Sequence, residues 1–537
     1  MILPPRPLNH RRLDLPNRPI DRPVMIVPRP ARDYPNLDRF AVPPWDCQSP
    51  EWLAIDDSLP VDHLARAIDE AVDQLDLTAL FASYAGVGSR PHRPDLMLKI
   101  VLYQMQTGHP SPSQWAADTP DRRCLLWLGR GIKPSRSRCF AFRDRLGAWL
   151  PDWNRQVLQS AVVPGITTAR SGSLDGTLIA ANASRHRLLN LARLDRRLKE
   201  LDRVIAADQT RQDPGAVPGW MARSPATRRR QRHRFRTARR ELLKEHARNA
   251  RRPGDRRQDP DKIVISTGDP EAALGRDKEK VFRPLYNLQV VQDTESPLVL
   301  GYEVFAQATD AGTLTPLRQR AQALTGVELK TMLTDAGYAS ALDLYDCAQA
   351  GVDLYAPYQE NDGTEQRRAR RPQRQIPKSA FTWRPEEQVY VCPQGHRLTR
   401  ISQEARGRAE GRTVEVTTYR CPKEHCQACP LAQRCTRSAN GRTIKRNEHE
   451  DLIVAHQAKM ATPEAKAIYR QRCQTVELRF ADTKVHRGLR RFRGRGLERA
   501  RIEVGLCVLA HNLLVVRAAS QQKAAEGQDG TPCDHAA

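Results

Sequence analysis

Three carboxylates stand in contexts that suit chemistry. Asp175 lies in the strand-like run SGSLDGTLIAANAS and is followed by Gly176, Asp335 closes the run LKTMLTD before AGY, and Glu477 sits in the helical stretch AKAIYRQRCQTVELRFADTKV. A carboxylate at a strand's end opens onto the rim of a sheet, where ligands of α/β proteins bind. Carboxylates gathered there hold Mg²⁺ or Mn²⁺ through hard oxygens, and two such ions activate an attacking hydroxyl and stabilise the leaving oxygen of a phosphodiester. Each residue alone is a weak signal, since Asp-Gly is a routine turn and a helical Glu flanked by Arg is ordinarily a solvent ion pair.

The cysteines form a second constellation. Cys392 in VCPQGH, Cys421 and Cys426 in RCPKEHC, Cys429 completing CQAC and Cys435 in PLAQRC are five thiols within one segment. CxxC is the knuckle spacing that holds tetrahedral Zn²⁺. The expected structural zinc ligands are Cys392, Cys426, Cys429 and Cys435, with Cys421 or His396 as a substitute; the bland alternative is free thiols in a reducing cell. Cys473 and Cys507 lie in apolar helical text and read as packing residues.

The elements that must position these groups follow from periodicity and punctuation. Residues 1–55, rich in Pro and Arg, lack an apolar period and read as a flexible basic arm. Over 56–165 helical runs alternate with Pro and Gly, with Ser113 and Ser135 as helix entries. They suit a helix-turn-helix-like DNA-binding domain, although a dimerising bundle reads similarly. From 166 to 517 the text becomes α+β or α/β. Strand-like runs at Ser171–Ser184, Lys262–Thr267, Leu285–Asp293, Leu298–Phe305 and Leu329–Asp335 are followed by alternating helix and strand, which indicates a mixed-sheet core. Two inserts interrupt it. The first, 185–259, is a helical pair whose second stretch, Arg228–Arg252, is dense in Arg and reads either as a solvated hairpin or as a grip on DNA phosphates. The other, 358–456, carries the cysteines, and 518–537 reads as a disordered tail.

Composition limits the partners. The chain has 537 residues and a net charge of +25, long enough for three or four packing units at roughly 150 residues each. A positive excess of this size gathers polyanions and points to nucleic acid. The longest apolar run, Val504–Val516, is interrupted by Gly505, His511 and Asn512, short of the ~20 residues of a bilayer span, so no membrane association is expected. Without a secretory h-region, the expectation is a cytoplasmic, nucleoid-associated protein.

Several blocks in order carry a resemblance that local physics does not. SLDGTLIAANAS, GDPEA with YNLQVVQD, LTDAGYAS, and YRQRCQTVELRFADTKVHRGLRRFRGRGLERARIEVGLCVLAHNL resemble the catalytic blocks of a DDE transposase of a bacterial insertion sequence, most closely the family numbered eleven-eighty-two. RPDLMLKIVLYQMQTGHPSPSQW resembles the N-terminal domain that precedes such cores. The resemblance implies a ribonuclease-H-like core in which Asp175, Asp335 and Glu477 are the catalytic, Mg²⁺-binding triad, with Asp175 bridging two ions. It implies cleavage of double-stranded DNA at terminal inverted repeats and strand transfer to target DNA, by a homodimer or larger assembly. Tyr469, Arg472, Glu477 and Lys484 resemble the Tyr-Arg-Glu-Lys signature of related transposases, and with Arg470 they are the expected phosphate contacts. One departure stands out. Arg472 precedes Glu477 by five positions rather than four and points about 140° away on an ideal helix, whereas Arg470 and Lys484, each seven residues from Glu477, share its face. The rival class is a zinc-containing DNA-binding protein without catalysis, a decayed element acting as a regulator.

Overall fold

The computed structural model describes residues 34–529 apart from 85–87, 211, 213–214, 253, 359–375 and 408–411. The expected basic arm lies outside the described residues up to 33. From there the chain is packed: Tyr34 stacks on Phe81 with ring centroids 4.0 Å apart, and Phe40 is 2% exposed.

Eight helices follow: α1 (Pro50–Asp56), α2 (Leu64–Val72), α3 (Thr78–Ala82), α4 (Pro94–Gln106), α5 (Pro112–Asp118), α6 (Arg123–Leu128), α7 (Arg136–Leu146) and α8 (Leu150–Val162). Pro at the first helical position starts α1, α4 and α5, where its missing N–H costs nothing. Ser135 caps α7 by accepting from Arg138 N, but α5 is entered from Ser111, with Pro112 at the first position, rather than from Ser113. The apolar run LMLKIVLYQM makes α4 buried on all sides. Its single cation, Lys99, is tolerated there because Asp69 and Asp73 lie 2.6 and 2.8 Å from Nζ.

The mixed sheet follows. β1 (Ser171–Ala180) leads into a short β2 (Leu188–Leu189), then α9 (Leu191–Thr210), α10 (Pro225–Ala250) and β3 (Ile265–Ser266). The run Lys262–Thr267 yields only these two strand residues, which pair with β2 and close the base of the helical hairpin. Then come β4 (Ala273–Arg276), β5 (Phe282–Asp293), β6 (Val299–Phe305), α11 (Leu314–Thr325), β7 (Thr331–Leu333), α12 (Ala341–Gln349) and β8 (Asp353–Tyr355). β5 pairs antiparallel with β1, β4 and β6, while β7 is parallel to β1 and β8 parallel to β7.

The cysteine region is its own five-stranded antiparallel sheet: β9 (Thr382–Arg384), β10 (Val389–Val391), β11 (Arg397–Gly407), β12 (Thr413–Arg420) and β13 (Thr443–Asn447), with α13 (Lys423–Gln427) and α14 (Ala432–Cys435) between β12 and β13. The chain then returns to the mixed sheet through α15 (Glu450–Ala461), α16 (Pro463–Ala481), a π-turn at Asp482–His486 and the long α17 (Leu497–Asp529).

By length and composition Leu497–Lys523 of α17 could cross a membrane, which the count of uninterrupted apolar residues did not suggest. Yet 61% of its most apolar stretch is buried. Ala500, Val504 and Val508 pack into the sheet core, and Ile502, Leu506, Leu509 and Leu513 into the N-terminal helical core. One helix thereby joins two cores.

Candidate active site

Strand pairing brings the first two carboxylates together. Ser173 of β1 pairs in parallel with Leu333 of β7, and Asp175 and Asp335 each follow two residues later, at equivalent places along neighbouring strands. Asp175 Oδ1 accepts from Gly176 N at 2.7 Å, and Asp335 Oδ1 accepts from Gly337 N at 2.7 Å in an Asx turn just past the end of β7. Burial pushes the Asp175 carboxyl above its ordinary range; Arg472 and the Gly176 N–H oppose this, and the neighbouring Asp335 charge adds to it.

The helix α16 packs against β1, in which Asp175 stands mid-strand rather than at the end the sequence suggested. Arg472 reaches back from the helix to place Nη2 3.1 Å from Asp175 Oδ2, with its own Nε buried and unpartnered among the described residues. The helical angle to Glu477 did not reveal this, because a long guanidinium side chain is aimed by its partner as well as by its Cα. Glu477 lies on α16, but its side chain is outside the described residues. Tyr469 is half-buried and Arg470 exposed on the same helix. Lys484 lies beyond the α-helix in the π-turn, so the seven-residue spacing from Glu477 does not carry through; its Nζ donates to Leu178 O at 3.3 Å. Burial depresses the Lys484 ammonium, and the charge of Lys278 depresses it further.

Sequence reasoning missed two groups here. Lys278, in the turn between β4 and β5, acts electrostatically on both Asp175 and Lys484. The charged text RDKEK reads as an ordinary turn and gives no hint of this. Asp310, between β6 and α11, accepts from Asn287 Nδ2 at 2.8 Å and Gln289 Nε2 at 2.6 Å. Among the described residues no three His, Cys, Asp or Glu side chains are grouped as a metal-ion site requires.

The cysteine region closes around a cavity of about 20 Å³ lined by Cys392, His396, Cys421, His425, Cys426, Cys429 and Cys435. Cys392 Sγ accepts from His396 N at 3.3 Å across a turn in which Gly395 has φ +81°, and Cys426 Sγ accepts from Arg442 N at 3.4 Å. The His396 and His425 rings stack at 4.4 Å. Burial, reinforced by a hydrogen bond with Cys426, pushes the Cys421 thiol up to about 12.

Two family models match the chain: the transposase DDE domain over residues 391–517 and the transposase domain (DUF772) over residues 53–145. Together they support a DDE transposase. The first match includes Glu477, Lys484 and the cysteines of the second insert but neither Asp175 nor Asp335, and the second runs from within α1 through most of α7. No curated protein matches the chain.

Proposed function

We propose that this chain binds the terminal inverted repeats of an insertion sequence and catalyses DNA cleavage and strand transfer, with Asp175, Asp335 and Glu477 as its cation-binding carboxylates. The observation that carries this reading is the placement of Asp175 on β1 and of Asp335 just past the end of the neighbouring parallel β7, each two residues beyond the paired Ser173 and Leu333, beside the helix that bears Glu477. The strand order β6–β5–β1–β7–β8, antiparallel and then parallel, supports the ribonuclease-H-like core that the resemblance implies.

The donors fit a hard divalent cation, since they are carboxylate oxygens, and Asp175 is half-buried beside a like charge that a cation would relieve. When bound, Mg²⁺ or Mn²⁺ would activate the attacking hydroxyl and stabilise the leaving oxygen of the phosphodiester. The protein's own groups orient and neutralise. Arg472 balances Asp175 in the cation-free state, and Lys484, Lys278 and Arg470 offer positive charge to the phosphates of a strand entering from the β1 end. Arg136 and Arg138, exposed near the start of α7, are suited to contact DNA from the N-terminal helices. Pairing two element ends requires at least a homodimer.

A structural Zn²⁺ belongs to the same reading. Five thiols line one small cavity and two of them accept backbone N–H bonds, so the donors are of the type that Zn²⁺ takes, although among the described residues no three of them are grouped closely enough to hold it. Cys392, Cys426, Cys429 and Cys435 would hold the ion and tie a sheet whose apolar core is small. About one zinc per chain should copurify with protein made without chelators, and Cys426→Ser should lose it; a metal-free preparation rejects the site.

The decisive experiment incubates full-length protein with element-end DNA and Mg²⁺. Asp175→Asn, Asp335→Asn and Glu477→Gln should each abolish cleavage and retain DNA binding, because the amide keeps volume and loses charge. Cleavage that survives in a variant removes that residue from the triad, and absence of cleavage from the unaltered protein returns the chain to the class of non-catalytic DNA-binding proteins.

A further inference from the structure

Asn287 and Gln289 are 1% and 0% exposed in the middle of β5, a strand that is buried over most of its length. Buried amides require partners, and both of these donate to the same oxygen, Asp310 Oδ1. Gln289 also donates to Asn287 Oδ1 at 2.9 Å and accepts from the Tyr338 hydroxyl. The backbone of Asp310 is fixed as well: its carbonyl accepts from Thr313 N and Thr313 Oγ1 at the entrance to α11.

The carboxylate so held faces the site. A Cβ at Gly176, beside Asp175, would stand 2.8 Å from Asp310 Oδ1; one at Gly337, in the Asp335 turn, would stand 2.9 Å from Asp335 Oδ1 and 3.9 Å from Asp310 Oδ2. Asp310 therefore lies against both glycines that flank the proposed cation-binding aspartates. Its two oxygens differ in circumstance. Oδ1 is committed to the two amides, while no hydrogen bond from the described residues reaches Oδ2.

We propose that Asp310 is a fourth carboxylate of this site, contributing Oδ2 to a divalent cation or to its bound water while Asn287 and Gln289 hold the group in place. The inference rests on the proposed transposase reading and accounts for the polar residues of YNLQ, which would otherwise be two amides spent inside a strand. A carboxylate fixed by donors on one oxygen is oriented for a cation on the other, and losing such an oriented group costs roughly 10–100-fold in metal affinity.

The test is Mn²⁺ binding to the full chain without DNA, followed by the electron paramagnetic resonance of free Mn²⁺. Asp310→Asn retains an oxygen for the two amides, so it should melt in the absence of metal like the unaltered protein. Its Mn²⁺ affinity should fall about tenfold or more. The rise in melting temperature that saturating Mn²⁺ produces, read against each variant's own metal-free value, should shrink in parallel, which keeps the test valid for a destabilised variant. Asp310→Asn affinity within twofold of the unaltered protein overturns the proposal. If Asp175→Asn and Asp335→Asn also leave Mn²⁺ binding unchanged, it is the triad reading that fails.

Discussion

Position 176 has room for hydrogen and nothing larger, because a methyl group there would occupy the place of the Gln289 amide nitrogen and press on Asp310. Gly176→Ala should therefore cost about 1–3 kcal/mol in denaturant unfolding, the ordinary penalty of overpacking. Shortening the intruding neighbour in the double variant with Gln289→Ala should recover part of that loss, which a thermodynamic cycle measures. A second residue-scale effect concerns protons. Glu503 on α17 is 1% exposed and accepts from the backbone N–H groups of Arg493 and Gly494. Burial lifts its carboxyl from 4.5 to about 7 against those hydrogen bonds. A pKa raised on folding favours the protonated native state. This contribution is complete below about 4.5 and disappears as the pH rises through about 7. Melting curves across this interval should show the decline in the unaltered protein, and Glu503→Gln should flatten it.

At the scale of elements, the Arg-dense α10 divides into two classes of arginine that sequence does not distinguish. Arg228 points inward, 2.5 Å from Asp208, with both side chains 9% exposed, and its other nitrogens bond Ala222 O and Arg223 O. Arg232 and Arg236 lie 3.5 Å from Asp202, and Arg239 lies 2.7 Å from Asp195. Arg229 and Arg230 face solvent. Arg228→Ala should lower stability by about 3–5 kcal/mol, since it leaves a buried carboxylate unpaired. Arg229→Gln with Arg230→Gln should leave melting unchanged. The same pair should reduce the log–log salt slope of DNA binding by roughly one unit for each phosphate no longer neutralised, for random and element-end DNA alike. The strands β1, β5, β6 and β7 were legible because apolar text between turn residues specifies them, and so were the helical N-terminal runs. β4 was not, being four residues of half-exposed edge. Asp310 was hidden for a related reason: ATDAGTLTP reads as a helix entrance, and only pairing between distant strands brings Asn287 and Gln289 up to it. The Asp175–Arg472 contact likewise depends on how α16 crosses the sheet, which no local periodicity encodes.

At the scale of the whole molecule, α17 makes the N-terminal helices and the mixed sheet depend on each other. Leu506 is fully buried on the N-terminal side, with Val504 and Val508 two positions away in the sheet core. Leu506→Ala should cost about 2–5 kcal/mol. Hydrogen exchange should show α4 and β5 losing protection together, whereas independent domains would lose it only in α4. Removing everything before Leu150 is for the same reason a poor probe of DNA recognition, since it strips the apolar cover from Ile502, Leu509 and Leu513. Substitutions on the exposed face of α7 test recognition without that damage. The shared helix also sets an order of events during synthesis. The ribosome releases α1 to α8 long before α17 exists, so the early helices wait with an open apolar seam. Both cores close only when the last helix is made, and a message cut short before it would yield a chain that completes neither.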